Sequence, residues 1–341
     1  MNKPSTICID LAKNVFQVAL FNQHGKLKSN QKMSQAKMVT FIAQYPASMI
    51  YMEACGSAHY WGRYFQNNKH HVHLLPPQIV RMYRAGNKND ANDALAIYEA
   101  AQRPEIHFVS VKTTEQQDIA SVLHLRESYI KQRTAVANRI RGFALEYGIK
   151  FPQSITKLRA LLPLELEDPN NGLTSSARFV LHQLLNQLIE LDKPIQEVTD
   201  YLIAYAKQIP ACQLLMTLRG VGWIVASALY ARMGDASAYK CGRDASASIG
   251  LVPAHSGSGG HNKLLGISKK GDRTLRAVVV HGARSVVSNI KDKSDQLSCW
   301  LRALLERNHF NKVVIALANK TVRMACAMLK SNQPYQEKLP A

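Results

Sequence analysis

The first third of the chain alternates apolar and polar positions in short runs. In residues 5–11, Ile7, Ile9 and Leu11 fall on one side and Cys8 and Asp10 on the other, which predicts a strand. Residues 15–21 alternate again through Phe16, Val18 and Leu20, the segment from Asn22 to Gly25 predicts a turn, and 26–32 returns as a third strand. A helix is predicted at about 35–44, a strand over Ser48–Glu53, a helix from about Ser57 to Gln66, and a short strand Val72–Leu75 stopped by Pro76 and Pro77. A last helix starts near Asp90 and runs to about Gln102.

The period changes after about residue 116. Ile119, Val122, Ile130, Val136, Ile140 and Phe143 form a loose helical stripe. Leu181, Leu184, Leu188, Leu191, Ile195, Val198 and Leu202 step by alternating threes and fours, the a/d seam of a coiled coil, with Pro194 placed to kink or split it. Pro163, Pro169 and Asn170-Asn171-Gly172 predict a loop over about 163–173. From about 209 the pattern is helical with a Gly/Ser-rich interruption. Three domains follow: 1–115, α/β, with the meander-then-alternation order of a ribonuclease-H-like (RuvC-like) fold; 116–208, helical and coiled-coil; and 209–335, mainly α.

With 46% hydrophobic residues, the 341-residue chain is globular rather than disordered. Composition adds one strong bias. Lys and Arg number 43 against 24 Asp and Glu, a net charge of +19, which favours a polyanionic partner, nucleic acid above all. Aromatic residues, at 7%, are too few for a protein built mainly on base-stacking platforms. The six cysteines are scattered without a CxxC pair, which excludes zinc ribbons and fingers. Neither a signal peptide nor an apolar run long enough for a membrane span is evident. A cytoplasmic protein acting on DNA or RNA is expected.

Four carboxylates stand out by position. Asp10 ends the first strand and Glu53 the fourth, while Asp90 and Asp93, three apart, share one face of the following helix. In this fold order they converge, and four crowded carboxylates repel one another unless a cation joins them. Mg²⁺ (or Mn²⁺) suits such hard oxygen ligands, and two such ions can stabilise the attacking and leaving oxygens of a phosphodiester. Taken singly, each carboxylate has a plainer reading, as a turn residue at a strand end or, for Asp90, a helix cap.

Two further segments suit nucleic acid. Leu214–Tyr230 has the pattern of a helix-hairpin-helix, with Gly220 and Gly222 allowing the tight turn and free N–H groups opening the second helix toward a phosphate; an ordinary packed helical hairpin is the alternative. Gly250–Gly271 is a glycine- and serine-rich loop followed by Lys263, Lys269, Lys270, Arg273 and Arg276. Its glycines let backbone approach phosphate closely, and on composition Ser256 and Ser258 are equal candidates for an unhindered hydroxyl, or the loop is merely flexible surface. Arg126, Lys131, Arg133, Arg139 and Arg141 on the 116–147 helix are either a solvated face or a phosphate-contacting one.

Together these segments resemble DEDD-type insertion-sequence transposases, the family that includes the Piv DNA invertase and the bridge-RNA-guided recombinases. The resemblance spans nearly the whole chain. It rests on Ile9-Asp10-Leu-Ala-Lys13, Met52-Glu53-Ala-Cys-Gly56 and Lys88-Asn-Asp90-Ala-Asn-Asp93-Ala94 in the first part. In the last part it rests on Gly220-Val-Gly222, Gly250-Leu-Val-Pro253, Ser258-Gly-Gly260 and Gly266-Ile-Ser-Lys269. It implies that Asp10, Glu53, Asp90 and Asp93 bind metal and that Ser258 attacks DNA through a covalent phosphoserine link. Many relatives carry two serines before the glycine pair; here the first is Gly257, so Ser258 is the matching residue. The resemblance also implies a guide RNA from the element and a homo-oligomer, dimer or tetramer, acting on DNA in the bacterial cytoplasm at the nucleoid. A Holliday-junction-type nuclease, using the same carboxylates to activate water, and a non-catalytic architectural protein are the competing readings.

Overall fold

The computed structural model describes residues 5–84, 89–104, 106–258, 261–291 and 293–336, with backbone only for Ser258, His261 and Asn262. The chain divides into two compact units, Met1–Gln117 and Asp118–Ala341.

The first unit is built on β1 (Thr6–Asp10), β2 (Val15–Phe21), β3 (Leu27–Ser34), α1 (Gln35–Ala43), β4 (Met49–Glu53), α2 (Ala58–Asn67), β5 (His71–Leu75), α3 (Pro77–Met82) and α4 (Asp90–Ala101). The strands form one five-stranded sheet in the order β3-β2-β1-β4-β5. The meander β1-β2-β3 is antiparallel, and β4 and β5 add parallel to β1. Because side chains alternate across a strand, Ile7, Ile9, Ile50 and Met52 enter one core with Met38 and Ile42 of α1 and Trp61 and Phe65 of α2. Cys8, Ala19 and Leu75 enter the opposite core, under Val80 of α3 and Ala94, Ile97 and Ala100 of α4. The central strands, covered on both faces, are correspondingly rich in Ile, Val and Met. The helix α3 directly after the strand-stopping prolines is an addition to the expected elements; Pro77 sits in its first turn, where the missing N–H costs nothing.

The boundary between the units falls in the first turn of α5 (Thr114–Leu145). Then come α6 (Ile155–Glu167), α7 (Ser175–Glu190), α8 (Asp192–Ala206), α9 (Pro210–Met216), α10 (Trp223–Met233), α11 (Gly242–Ser248), β6 (Pro253–Ser258), β7 (His261–Ile267), α12 (Arg273–Ser288), α13 (Gln296–Leu305) and α14 (Phe310–Ser331). This unit has two cores. The end of α5 packs with α6 and α7 through Ile140, Leu158, Leu162, Leu181 and Leu188. The larger core gathers Ile119, Leu202 and the apolar faces of α9 to α14.

Two expectations change here. The loop predicted from Pro163 begins later, because α6 runs through Pro163 to Glu167. A proline inside a helix costs about 3 kcal/mol, but stopping the helix there would strip Leu166 from its packing against the core that holds Leu158 and Leu162. The leucine seam is divided at Leu191 between α7 and α8: Leu181, Leu184 and Leu188 are buried in one core and Leu202 in the other, all within a single chain. Its apolar stripe is thus covered intramolecularly and needs no second copy.

Candidate functional site

The sheet register decides which face the carboxylates share. Cys8 pairs with Tyr51 and Ile9 with Met52, so Asp10 and Glu53 lie on the α4 side of the sheet. On α4, the cap is Asn89, whose side chain accepts the Asn92 N–H at 2.8 Å. Asp90 is therefore the first helical residue rather than the cap, and Asp93 lies one turn on, both favoured by the positive end of the helix. The Asp10 carboxyl is pushed up to about 6, first by burial and then by the charges of Asp93, Glu53 and Asp90, against the opposing pull of Arg84. The neighbouring Cys55 thiol is pushed up to about 11 by burial, Glu53 and Asp10, and so stays protonated. Burial is the larger cause at both groups, and the surrounding carboxylates add to it at each.

Cations of the chain itself occupy part of that field. Arg84 is ion-paired with the buried Asp93, and Lys32 of β3 lies 2.9 Å from Asp90. In this arrangement no three His, Cys, Asp or Glu side chains among the described residues stand together as an ion-holding group. The expected convergence is therefore one of electrostatic reach, with Lys32 and Arg84 standing at Asp90 and Asp93. The donor set fits a hard divalent ion: it is all carboxylate and mutually repelling. Gln17, which pairs with Asp10 across β1 and β2, is also 4% exposed with an Oε1 that has no hydrogen-bond partner. Its amide donates to Asn30 Oδ1 at 2.5 Å, and Asn30 donates on to the Ala91 carbonyl in α4 at 3.1 Å, a half-buried polar link from the Asp10 strand pair to the start of that helix.

Gln17, Asn30, Lys32 and Arg84 were not legible as site residues. The one available signal was Gln17, a polar residue in the otherwise apolar VFQVALF of β2.

The serine-bearing segment is a two-stranded antiparallel ribbon, not a loop. Its register pairs Pro253 with Ile267, Ser256 with Lys263 and Ser258 with His261. Two residues separate the last pair, and the Gly-Gly there is the hairpin signal that would have found it. Gly259, Gly260 and the side chain of Ser258 lie outside the described residues. No acidic residue occurs between Asp244 and Asp272, and Lys263, Lys269, Lys270 and Arg273 are exposed. Arg276 is committed within the chain, donating to the carbonyls of Ile249 and Lys270 at 2.7 and 3.0 Å.

Gly220 and Gly222 join α9 to α10. Gly220 has φ +83°, and a Cβ there would stand 2.6 Å from Val286 Cγ2 and 3.0 Å from the Gly282 carbonyl of α12. Gly222 caps α10 without a side-chain hydrogen bond, which leaves the first N–H groups of that helix without a side-chain acceptor.

Most of the basic residues on α5 have intramolecular work. Arg126 donates to Thr199 at 2.8 Å and Arg133 to Asp192 at 3.0 Å, and Lys131 pairs with Glu127 at 2.7 Å. Arg141 donates to the Pro152 and Gln153 carbonyls at 3.1 and 2.6 Å, tying the loop after α5 to that helix. Arg139 is exposed, without an ion-pair partner among the described residues. Arg141→Ala is therefore expected to lower stability by about 1.5 kcal/mol. Arg139→Glu should leave thermal unfolding unchanged while weakening DNA binding and reducing its salt slope by about one unit. Thermal melts and binding titrations at several salt concentrations check both; equal effects of the two substitutions on DNA binding, without loss of stability, would contradict the division.

Among the described residues no helix is long and apolar enough to cross a membrane. Residues 7–149 match the DEDD family model described as a transposase, and residues 212–298 match the model of the transposase IS116/IS110/IS902 family. The DEDD match suggests dependence on a divalent metal ion. The chain is 39% identical to the transposase for insertion sequence element IS1111A of Coxiella burnetii, over 96% of this chain and 90% of that one. It is 38% identical to a probable family 20 transposase of Pseudomonas aeruginosa, over 97% and 98% of the two chains. A pilin gene-inverting protein of Moraxella bovis is 22% identical over 98% of each. On the strength of these full-length matches, the chain, an α/β unit followed by a mainly helical one, belongs to the IS110/IS1111 family of insertion-sequence DNA transposases.

Proposed function

We propose that this transposase cuts and rejoins DNA at the ends of its insertion sequence with a RuvC-like carboxylate site and a serine nucleophile. The observation that carries the reading is the placement of Asp10 and Glu53 on the α4 side of the sheet beside Asp90 and Asp93 at the start of α4, where burial first and the three neighbouring carboxylates next push the Asp10 carboxyl up to about 6. These four residues would hold Mg²⁺ (or Mn²⁺), which when bound neutralises their charge and stabilises charge developing on phosphate oxygens. Arg84 and Lys32 keep Asp93 and Asp90 charge-balanced until then.

Ser258 is the proposed nucleophile. Its Oγ bonds to phosphorus as the bond from phosphorus to one DNA strand oxygen breaks, and the hydroxyl proton passes to that leaving oxygen. The reverse displacement, by the hydroxyl of a new strand end, restores the serine. One phosphodiester is exchanged for another at each step, so no high-energy cofactor is consumed. The 1–115 segment supplies the metal site, 116–208 the helical middle, and 209–335 the serine ribbon and a helix-hairpin-helix at Gly220 and Gly222. Lys263, Lys269, Lys270 and Arg273 neutralise phosphate beside the ribbon. The resemblance further supports a guide RNA from the element and a dimer or tetramer acting at the bacterial nucleoid.

The direct test is recombination of a plasmid carrying the element's ends by the purified protein. Chelation of divalent ions is expected to abolish strand cleavage, Mg²⁺ or Mn²⁺ to restore it, and cleavage undiminished by chelation would overturn the metal assignment.

A further inference from the structure

The second unit carries a groove that neither the carboxylates nor the serine ribbon uses. It has a volume of about 510 Å³ and runs along α14, walled by Trp300 of α13 and Gly242 at the start of α11. Asn319, Lys320 and Arg323 project into it from α14. Trp300 and all of α14 lie beyond residues 212–298, the segment matched by the second family model.

The chemistry of these groups is specific. Lys320 Nζ sits 4.6 Å from the centroid of the Trp300 ring. Neither Lys320 nor Arg323 has a carboxylate partner among the described residues. The acidic group of α11, Asp244, accepts the Cys241 N–H at 3.2 Å and closes the cap of its own helix. Asn319 spends its amide N–H₂ on Ser246 Oγ and the Leu251 carbonyl, at 2.7 and 3.1 Å, which fixes the side chain and leaves its carbonyl oxygen as the acceptor. Gly242 lets α11 approach α14 closely beside the groove: a Cβ there would stand 3.0 Å from the Arg323 backbone. Ala316 and Ala327 keep the helix face low.

An aromatic face, two cations without acidic partners and a fixed acceptor are together the elements of a nucleotide site. We propose that this groove holds one unstacked nucleotide of a single-stranded nucleic acid, with its base on Trp300 and its phosphates on Lys320 and Arg323. The lysine ammonium that now covers the ring moves to the phosphate as the base takes its place, exchanging a cation–π contact for base stacking and a direct charge pair. Asn319 Oδ1 accepts from an exocyclic or ring N–H of the base. Paired bases, stacked on both faces, offer no free ring surface, so duplex DNA is not the occupant. The net charge of +19 suits the polyanion. The site does not involve Ser258 or the carboxylates, so it stands or falls apart from the catalytic reading.

The test is binding of the full-length protein to fluorescein-labelled oligothymidylate, oligouridylate and a duplex, followed by anisotropy over a range of salt. Arg323→Gln and Lys320→Met are each expected to weaken single-strand binding about fivefold and to reduce the salt slope by about 0.7. Trp300→Leu should weaken it about tenfold with the slope unchanged, and Trp300→Phe should restore most of the loss. In a Trp61→Phe, Trp223→Phe background, either oligonucleotide should quench the remaining Trp300 fluorescence. A stronger effect with thymidylate assigns the strand to DNA, and a stronger effect with uridylate to RNA. The substitutions at exposed Arg323 and at Lys320 read the site even if the tryptophan variants misfold. The proposal is overturned if single-strand affinity is unchanged in both cation variants, or if duplex and single strand weaken equally, the mark of a general basic patch. It also fails if Trp300→Leu alters oligomeric state but not oligonucleotide binding, since the groove would then be a protein contact.

Discussion

Asp10→Asn is expected to abolish DNA strand cleavage, a loss on the order of a thousandfold or more, while making the metal-free protein more stable at neutral pH. The two effects have one cause. In the folded chain the Asp10 carboxyl, ordinarily near 3.8, is raised to about 6 by burial and three neighbouring carboxylates. The folded state thus holds a proton that the unfolded state has already released between about pH 4 and pH 6. The contribution of Asp10 to stability is highest below this window, falls as pH rises through it, and stays lowered above it. Allowing for solvent screening of a partly exposed group, the decline amounts to about 1 to 2 kcal/mol. Asparagine has no proton to lose, so the variant should lack this component of the decline and melt a few degrees higher at pH 7 without metal. Mg²⁺ should reverse the effect in the wild type, stabilising it more at pH 7 than at pH 5, and should do little for Asp10→Asn. Thermal melts at a series of pH values, with and without Mg²⁺, measure this independently of catalysis. A variant that cleaves at the wild-type rate with the ion present sinks the assignment.

What made Asp10 findable is the period of two. Ile7 and Ile9 declare one face of β1 buried, so Asp10 must lie on the other, and the same logic carries Glu53 to the same side through the register Cys8–Tyr51 and Ile9–Met52. Asp90 and Asp93 follow from helical spacing. Such local rules say nothing about which distant cation finds a carboxylate. Lys32 pairs with Asp90 across 58 positions of sequence, and no pattern around either residue announces it. The basic residues of α5 show the same limit. Their spacing is that of any exposed helix, and only the packed unit shows Arg141 holding the Pro152 and Gln153 carbonyls and Arg133 holding Asp192. Pro163 failed in the opposite sense. A strong local breaker was overridden because Leu166, three residues on, gains from staying helical. The leucine seam was legible as a buried stripe, but its burial between helices of the same chain and its burial between chains look identical in a heptad count.

Ser258→Ala is expected to eliminate both recombination and any covalent protein–DNA species, while leaving DNA affinity nearly unchanged. The segment is an antiparallel ribbon in which Ser258 ends β6 opposite His261 and Ser256 pairs with Lys263. Lys263, Lys269, Lys270 and Arg273 are exposed beside it, with no acid between Asp244 and Asp272. Phosphate contacts from several such cations dominate affinity and fix register, so one hydroxyl contributes little to binding. In the proposed reaction its contribution is of another order, because without Oγ no covalent link to phosphorus can form. Reactions quenched in denaturant should show the wild-type protein bound to labelled DNA through a bond that survives boiling, and protease digestion should trim the protein to a small peptide containing Ser258 that is still attached to the DNA. Ser258→Cys should retain at most a trace, since a thiolate attacks phosphorus poorly and sits farther out. Ser256→Ala should still form the adduct, and it separates the two serines that composition alone left equal. Cleavage by Ser258→Ala at the wild-type rate would mean that the carboxylate site activates water. The protein would then cut DNA as a metal-dependent nuclease and use the ribbon only to grip phosphate. The two substitutions together also order the chemistry. The adduct is expected to disappear with Asp10→Asn as with Ser258→Ala, which places the carboxylates in forming it; an adduct that persists in Asp10→Asn would contradict the expected loss of cleavage and move their action after the covalent step.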